Sequence, residues 1–548
     1  MCAGILRRVP QLVTLEDAAA KLLRSNSRIV TAMAVSEPHG FFDKLETFVH
    51  DLDNVHVYCA NPNRAYNVFR QEQLQGKLRL TTMFLTHAVR NLQGHGVVYY
   101  APHNLREWGP LLCRKPINVF WGACTPPTEK GYVSIGPSAV YEAEALRHAD
   151  VVVLEVNPNM PFCHGSTTIR MSDIDYLIEP TCDASDPSMA ILTEAKPSFD
   201  DIDTKIAENV ASLIPDGATL QFGIGGIPNA LAAALQNHRD LGVHTEMIND
   251  AFVDLAKAGV VTGDMKSQWP RKMVGSFALG SADLYEYIHD NPGVIFKPGS
   301  QVNDPVVFGS NHKMFSVNTC VELDLTGQVC SESVGHRELS GVGGAADTHI
   351  GAQRSPGGRA IMALRSQSKK GSSKIVHELM PGAKVSITRN DLDTVVTEYG
   401  IAEVKGLNTA ERECLDHMRA RDRAHRVAEM TDKRRLQTKF RSPNPLADRP
   451  ERMHDARRME STISWADERS RSGCQDPEVL EKDRSTQQLI SRPRDFPDDV
   501  LVRGHLTKVA CAAIVVQRVA IGEPMRLTRR VSIDPLSETE IPDLNERL

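Results

Sequence analysis

No apolar run in this chain approaches the ~18 residues that a membrane-spanning helix needs. The one apolar stretch near the C-terminus, residues 509–521, is too short. Charge of one sign is lacking as well. Lys and Arg total 63 against 69 Asp and Glu, a formal net charge of −6 over 548 residues. That balance leaves no electrostatic footprint for nucleic acid or a membrane surface. The eleven cysteines form no Cys-x-x-Cys pair and no His/Cys cluster at zinc spacing. This suits free thiols in a reducing compartment better than a disulfide framework. Arg7 and Arg8 stand at the N-terminus without a signal-peptide apolar core, and acids follow at Glu16 and Asp17. The chain reads as soluble and cytoplasmic, or of the mitochondrial matrix in a eukaryote. It shows no long internal repeat, and no tyrosine occurs beyond Tyr399.

What is present is a long α/β alternation. Length predicts two to four domains, and 41% hydrophobic residues suffice for a large core. Short Val/Ile-rich runs at 28–34, 54–59, 97–100, 118–121 and 151–156 read as strands covered on both faces. Helical stretches such as 138–148 fall between them. A second set starts with a helix over 205–214, a turn at Asp216-Gly217, a strand over 218–222, a helix over 229–237 opened by Pro228, and a strand over 243–248. Later strands are expected at 360–364, 384–388 and 394–397. The fold class is therefore α/β with mainly parallel sheets. We place a boundary in the polar run 195–203, giving domains at 1–200 and 201–420. Residues 421–548 form an atypical charged tail, expected to be poorly ordered.

The most informative local feature is the loop Gly223-Ile224-Gly225-Gly226-Ile227-Pro228, which stands twenty-three residues before Glu246. Such a loop offers backbone N–H groups to a phosphate or an oxyanion, at the carboxyl end of a strand where open α/β sheets bind ligands. One reading is a dinucleotide fold, since an acid about twenty residues on is part of that fingerprint. The third glycine is missing, however, because Pro228 occupies its place. The other reading makes Glu246 a covalent nucleophile. A carboxylate attacks a thioester poorly unless the oxyanion is stabilised, and one backbone donor for it is worth about 10²–10³ in rate. A second loop, Ser340-Gly341-Val342-Gly343-Gly344, would complete the cradle.

The stretches 216–229, 240–247, 321–329 and 340–344 resemble the acetyl-CoA hydrolase/transferase family, which includes 4-hydroxybutyrate and acetate CoA-transferases. So do Asn157-Pro158-Asn159-Met160-Pro161 with His164-Gly165, and the runs 386–391 and 396–402. The resemblance covers nearly all of residues 10–420. It implies two open α/β CoA-transferase domains, with coenzyme A as a substrate and no metal or redox cofactor. It also implies that Glu246 forms a glutamyl-CoA thioester in a ping-pong course. Gly223, Ile224, Gly225, Gly226 and Ile227 match its CoA-binding segment, and Asn318, Gly341, Gly343 and Gly344 fall where the family also contacts CoA. The expected substrates are a short-chain acyl-CoA, such as acetyl-CoA, and a carboxylate such as 4-hydroxybutyrate, succinate or butyrate. The family is compatible with a homodimer. Competing readings are an acyl-CoA hydrolase, an inactive CoA-binding protein and an NAD(P)-binding oxidoreductase.

This chain departs from the family pattern at three places. Gly344-Ala345-Ala346-Asp347-Thr348 replaces Gly-Gln-x-Asp-Phe, and Ile248-Asn249-Asp250-Ala251 replaces Phe-Ser-Asp-Gly. From Asp422 onward the family's closing helix and its His-Pro-x-Phe-Arg run are missing, as an altered reading frame or an appended segment would produce. Other candidates have plain alternatives. His164 serves as a base, an acyl-site contact or a structural hydrogen bond; Glu398 shares that ambiguity; Lys370 meets a CoA phosphate or only solvent. Nothing marks Cys163 as an activated thiol.

Overall fold

Two parallel sheets present their carboxyl ends to one cavity. In the computed structural model the structure describes residues 9–93 and 96–418; the tail expected from 421 lies outside them. The first sheet has eight strands: β1 Gln11–Val13, β2 Arg28–Thr31, β3 Val55–Tyr58, β4 Leu78–Thr82, β5 Val98–Tyr100, β6 Ile117–Cys124, β7 Ala149–Val156 and β8 Tyr176–Ile178. Their order is β1-β8-β7-β6-β2-β3-β4-β5, and every pairing is parallel. The chain runs outward from β2 to β5, then returns to place β6 on the other side of β2. That reversal leaves a crevice at the strand ends, where α/β sheets take ligands. Met33, Asn61 and Met83 follow β2, β3 and β4 into it.

The second sheet has β9 Thr219–Phe222, β10 Gly242–Val243, β11 Met314–Asn318, β12 Arg359–Ala363, β13 Thr394–Thr397 and β14 Gly400–Glu403, in the order β10-β9-β11-β12-β13-β14. Only the β13–β14 hairpin is antiparallel. The hydrophobic core is continuous between the sheets, from Ile29 and Phe120 to Leu220, Val317 and Ile361. Cover on both faces, expected of the Val/Ile runs, holds for β2 and most of β6, but β3 alternates buried with half-buried residues and the edge strand β5 exposes Tyr99; β9 and β13 are buried at all four positions. Inside the first sheet Trp121 lies 4.6 Å from the Phe41 ring, a pairing worth about 1 kcal/mol beyond area burial. Its Nε1–H donates to Glu155 at 2.9 Å.

Several expected boundaries shift, each for a visible reason. The helix placed at 138–148 spans Glu142–His148, because residues 138–139 pair with 276–277 instead. The polar run read as a linker ends in a helix: Asp200 caps Asp201–Ala211 by accepting from the N–H groups of Ile202 and Asp203. Such a cap contributes about 1 kcal/mol. Asp203 is buried against Arg365, which reaches it with two bonds of 2.8 and 2.6 Å. The helix expected from Asn229 begins at Gly226, since Gly225 takes the cap position at φ +126°. The run 384–388 is not a strand; only Ile387 bridges, to Val329. The strand expected over 243–248 is broken in two. Gly242–Val243 pairs with β9, whereas Met247–Ile248 pairs with Phe277–Ala278. Glu246 stands in the gap.

Burial leaves carboxyl groups that weaken the fold as they ionise. Glu37 is buried, accepts from the Asn63 N–H at 2.8 Å and is pushed up by burial to about 8. Its folded value lies above its ordinary 4.5, so the folded state holds a proton that the unfolded chain releases, and stability falls as pH rises between the two values. Thermal melts of wild type and Glu37→Gln from about pH 5 to about pH 9 should show the variant gaining relative stability as pH rises. A difference independent of pH would contradict this assignment.

Candidate active site

Glu246 reaches the cavity because the backbone changes sheets beneath it. The His244 N–H still bonds to Leu220 O at 3.1 Å, on the β9 side. The Thr245 N–H turns to Val274 O at 3.0 Å, and Glu246 O accepts from both Ser276 and Phe277, at 2.9 and 3.2 Å. Two amides on one carbonyl make a local bulge, a device that re-aims a side chain. The close approach needs glycine opposite: a Cβ on Gly275 would sit 2.7 Å from Ile248 Cγ1. Downstream, Asn249 occupies the position where the family resemblance expects Ser. Its Oδ1 caps helix Asp250–Lys257, and its Nδ2 donates to Gly223 O at 2.8 Å. The two sequence motifs, loop and glutamate, are thus tied directly.

The glutamate is half-buried and held from two sides. Asn303 Nδ2 donates to its Oε2 at 2.8 Å, and the Gly344 N–H bonds its carboxylate. Burial still dominates and pushes its carboxyl up to about 7, with the Asp347 carboxylate adding in the same direction. Asp347 is itself buried, raised by burial to about 6, and paired with Arg106 Nε at 2.8 Å. That pair links helix Leu105–Leu112 of the first half to helix Ala345–Arg354 of the second.

The second glycine loop is packed as closely as backbone allows. A Cβ on Gly341 would lie 2.1 Å from Met83 O, and one on Gly344 would lie 1.9 Å from Asn303 Nδ2 and 2.0 Å from Glu246 Oε2. Gly343 has φ +59° and its carbonyl accepts from Leu105 N–H at 3.0 Å. Only glycine permits these three approaches together.

A cavity of about 440 Å³ opens over the carboxylate. It brings together Glu246, Gly223, Ile224, Asn318, Gly341, Gly343 and Gly344. Gly225, Gly226 and Ile227 do not line it; they form the cap and first turn of helix Gly226–Ala234, and Gly226 packs against Asp203. Asn318 donates to Ser316 Oγ and Thr348 Oγ1, at 3.1 and 3.3 Å. The wall is mostly apolar, with Met33, Met83, Phe84, Val140 and Phe277. Arg90 also lines it, its Nε buried without a partner and no carboxylate within ion-pair distance among the described residues. Among the described residues no cluster of three His, Cys, Asp or Glu side chains is placed to hold a metal.

Other candidates lie elsewhere. His164 Nε2 meets Asp290 at 3.0 Å beside a separate cavity, and Glu398 accepts from Ser366 N–H and Oγ–H. Lys370 is exposed in a turn. Cys163 is buried, its thiol pushed well above its ordinary value by burial. Sequence reasoning missed Asn303, 57 residues from Glu246. Its run Asn303-Asp304-Pro305 reads only as a helix start, and no local signal marks it. Arg106 and Arg90 were missed for the same reason.

Gly344→Ala should keep the fold yet lower turnover about 100-fold, because its methyl group displaces the carboxylate and its amide donor by about an ångström. Steady-state rates with a matched melting curve check this; wild-type turnover would contradict the geometry.

The comparisons agree with this architecture. Residues 16–183 match the acetyl-CoA hydrolase/transferase N-terminal domain and residues 280–415 its C-terminal domain. Glu246 and the first glycine loop lie between the two spans. The chain is 40% identical over 411 residues to the 4-hydroxybutyrate coenzyme A transferase of Clostridium kluyveri, covering 73% of this chain and 92% of that one. It is 35% identical over 402 residues to the succinyl-CoA:cyclohexane-1-carboxylate CoA transferase of Geobacter metallireducens, covering 72% and 89%. A solved 4-hydroxybutyrate CoA-transferase from Porphyromonas gingivalis superimposes with a TM-score of 0.64 at 31% identity, over 77% of this chain and 98% of that one. From its two halves and from relatives matched along most of their length, this chain belongs to the acetyl-CoA hydrolase/transferase family.

Proposed function

We propose that this CoA-transferase moves CoA from a short-chain acyl-CoA to a carboxylate through a thioester on Glu246. The observation that carries the reading is the carboxylate itself. It is half-buried in a cavity whose wall is mostly apolar, with one oxygen on the Asn303 amide and a second donor from Gly344 N–H. The same donors suit the oxyanion that forms when a nucleophile adds to a carbonyl at this place. Glu246 attacks the acyl-CoA carbonyl, the C–S bond breaks, and CoA leaves as thiolate from an acyl-glutamyl anhydride. The thiolate attacks the glutamyl carbonyl and expels the acyl group as a carboxylate, which carries away one glutamate oxygen. The acceptor carboxylate then attacks the glutamyl thioester, and the displaced thiolate takes its acyl group. One acceptor oxygen stays on Glu246, so the atoms balance without water.

The substrates we propose are acetyl-CoA and a short carboxylate such as 4-hydroxybutyrate, succinate or butyrate. The Arg90 guanidinium, which has no carboxylate within ion-pair distance among the described residues, supports an anionic ligand in the cavity. The eight cysteines among the described residues are all free, and no described helix is long and apolar enough to cross a membrane. These features support the cytoplasmic reading, with the matrix as its eukaryotic equivalent.

Two measurements test the route. With acceptor carboxylate labelled in both oxygens, peptide mass analysis after a single turnover should find one labelled oxygen on Glu246. Label entering from solvent water instead would identify a hydrolase; label on neither route would exclude the covalent step. In addition, the attacking form is the carboxylate, and its raised value lies at about 7. The acyl-CoA half-reaction should therefore quicken as pH rises through about 7 and level off above it. A rate flat across that range would show that Glu246 ionisation does not govern the step.

A further inference from the structure

A neutral histidine stands directly behind the glutamate. His244 is fully buried, with its ring 5.3 Å from Phe308, edge-on, and 5.7 Å from Trp269. Its Nε2 lies 2.8 Å from Val302 O, and its Nδ1 lies 3.2 Å from Asn311 Nδ2. A carbonyl only accepts, so Nε2 carries the hydrogen; the amide nitrogen only donates, so Nδ1 is bare. Both neighbours therefore specify the same neutral tautomer. Burial, reinforced by the Lys266 ammonium, holds the ring uncharged by lowering it to about 3.

The consequence lies one peptide further on. Val302 is bonded to Asn303, whose amide holds Glu246 Oε2. The path His244, Thr245, Glu246, Asn303, Val302 and back to His244 is a closed ring of three covalent links and two hydrogen bonds. Among the described residues, the imidazole link and the Asn303 amide are the hydrogen bonds that join these two segments, while the Asn303 N–H bonds within its own helix to Gly299 O at 2.9 Å. We propose that His244 is a positioning residue, whose Nε2–H fixes the Val302–Asn303 peptide so that the Asn303 amide stays on the glutamate. The proposal rests on Glu246 being the nucleophile.

The test follows glutamyl-CoA formation across pH, by quenched intact-mass analysis with acetyl-CoA, in His244→Leu, His244→Gln, Asn303→Ala and the His244→Leu/Asn303→Ala pair. Gln places an amide N–H near the position of Nε2, whereas Leu places none. An amide bonded to the carboxylate favours its charged form, so losing it moves the acid limb to higher pH. His244→Leu should slow adduct formation about 100-fold and shift that limb, with CoA affinity unchanged. His244→Gln should stay near wild type, and the double variant should be no slower than the slower single. An unshifted limb in His244→Leu, or losses that multiply in full, would overturn the proposal. So would an equal shift in Phe308→Leu, which alters the packing and keeps the bond. If His244→Leu fails to fold, His244→Asn takes its place, its amide being too short for Val302. An adduct on wild type with no limb shift removes this proposal alone; no adduct on wild type removes its premise with it.

Discussion

The structure depends on keeping one carboxylate out of water with donors fixed around it. Burial alone drives Glu246 toward its neutral, unreactive form. The Asn303 amide and the Gly344 N–H act the other way, favouring the charge. The balance leaves a group that changes charge near pH 7 and is poorly solvated when ionised, which is what a carboxylate nucleophile needs. Water would solvate it better and blunt it.

The rest of the fold serves that balance. Both parallel sheets end at the same cavity, and Glu246 stands there between two short strands, while its donors come from a helix end at Asn303 and a helix start at Gly344. Closeness between the halves is set by backbone. Gly341 lies against Met83 O, Gly343 accepts from Leu105, and Arg106 pairs with Asp347. A methyl group at Gly341 would hold the halves apart, one at Gly344 would push the carboxylate aside, and Gly343 is required by its positive φ instead. The glycine loops thus combine cavity lining with close packing at 341 and 344 and a helix cap at 225.

Much of this was legible from residue order. Strand positions followed from Val/Ile runs, and the first loop and Glu246 were identified as partners by spacing and family resemblance. The expected single strand over 243–248 was not found, because its alternation could not reveal that the ladder changes partners at Glu246. Gly225, Gly226 and Ile227 match the family segment as Gly223 does, but the start of the helix sets them outside the cavity lining that Gly223 and Ile224 enter. Asn303 and Arg106 carry no local signature, since each becomes meaningful through a contact with a distant segment, and Arg90 becomes meaningful only through its place in the cavity wall. The helix start at Asp200 was hidden in a polar run that read as a linker.

Intact-mass analysis of the protein mixed with acetyl-CoA, alongside Glu246→Ala, tests the central claim most directly. Wild type should form a CoA-containing adduct that hydroxylamine removes and that the variant never forms. CoA bound by both proteins with an adduct on neither would contradict it, and would leave a binding site without the covalent chemistry.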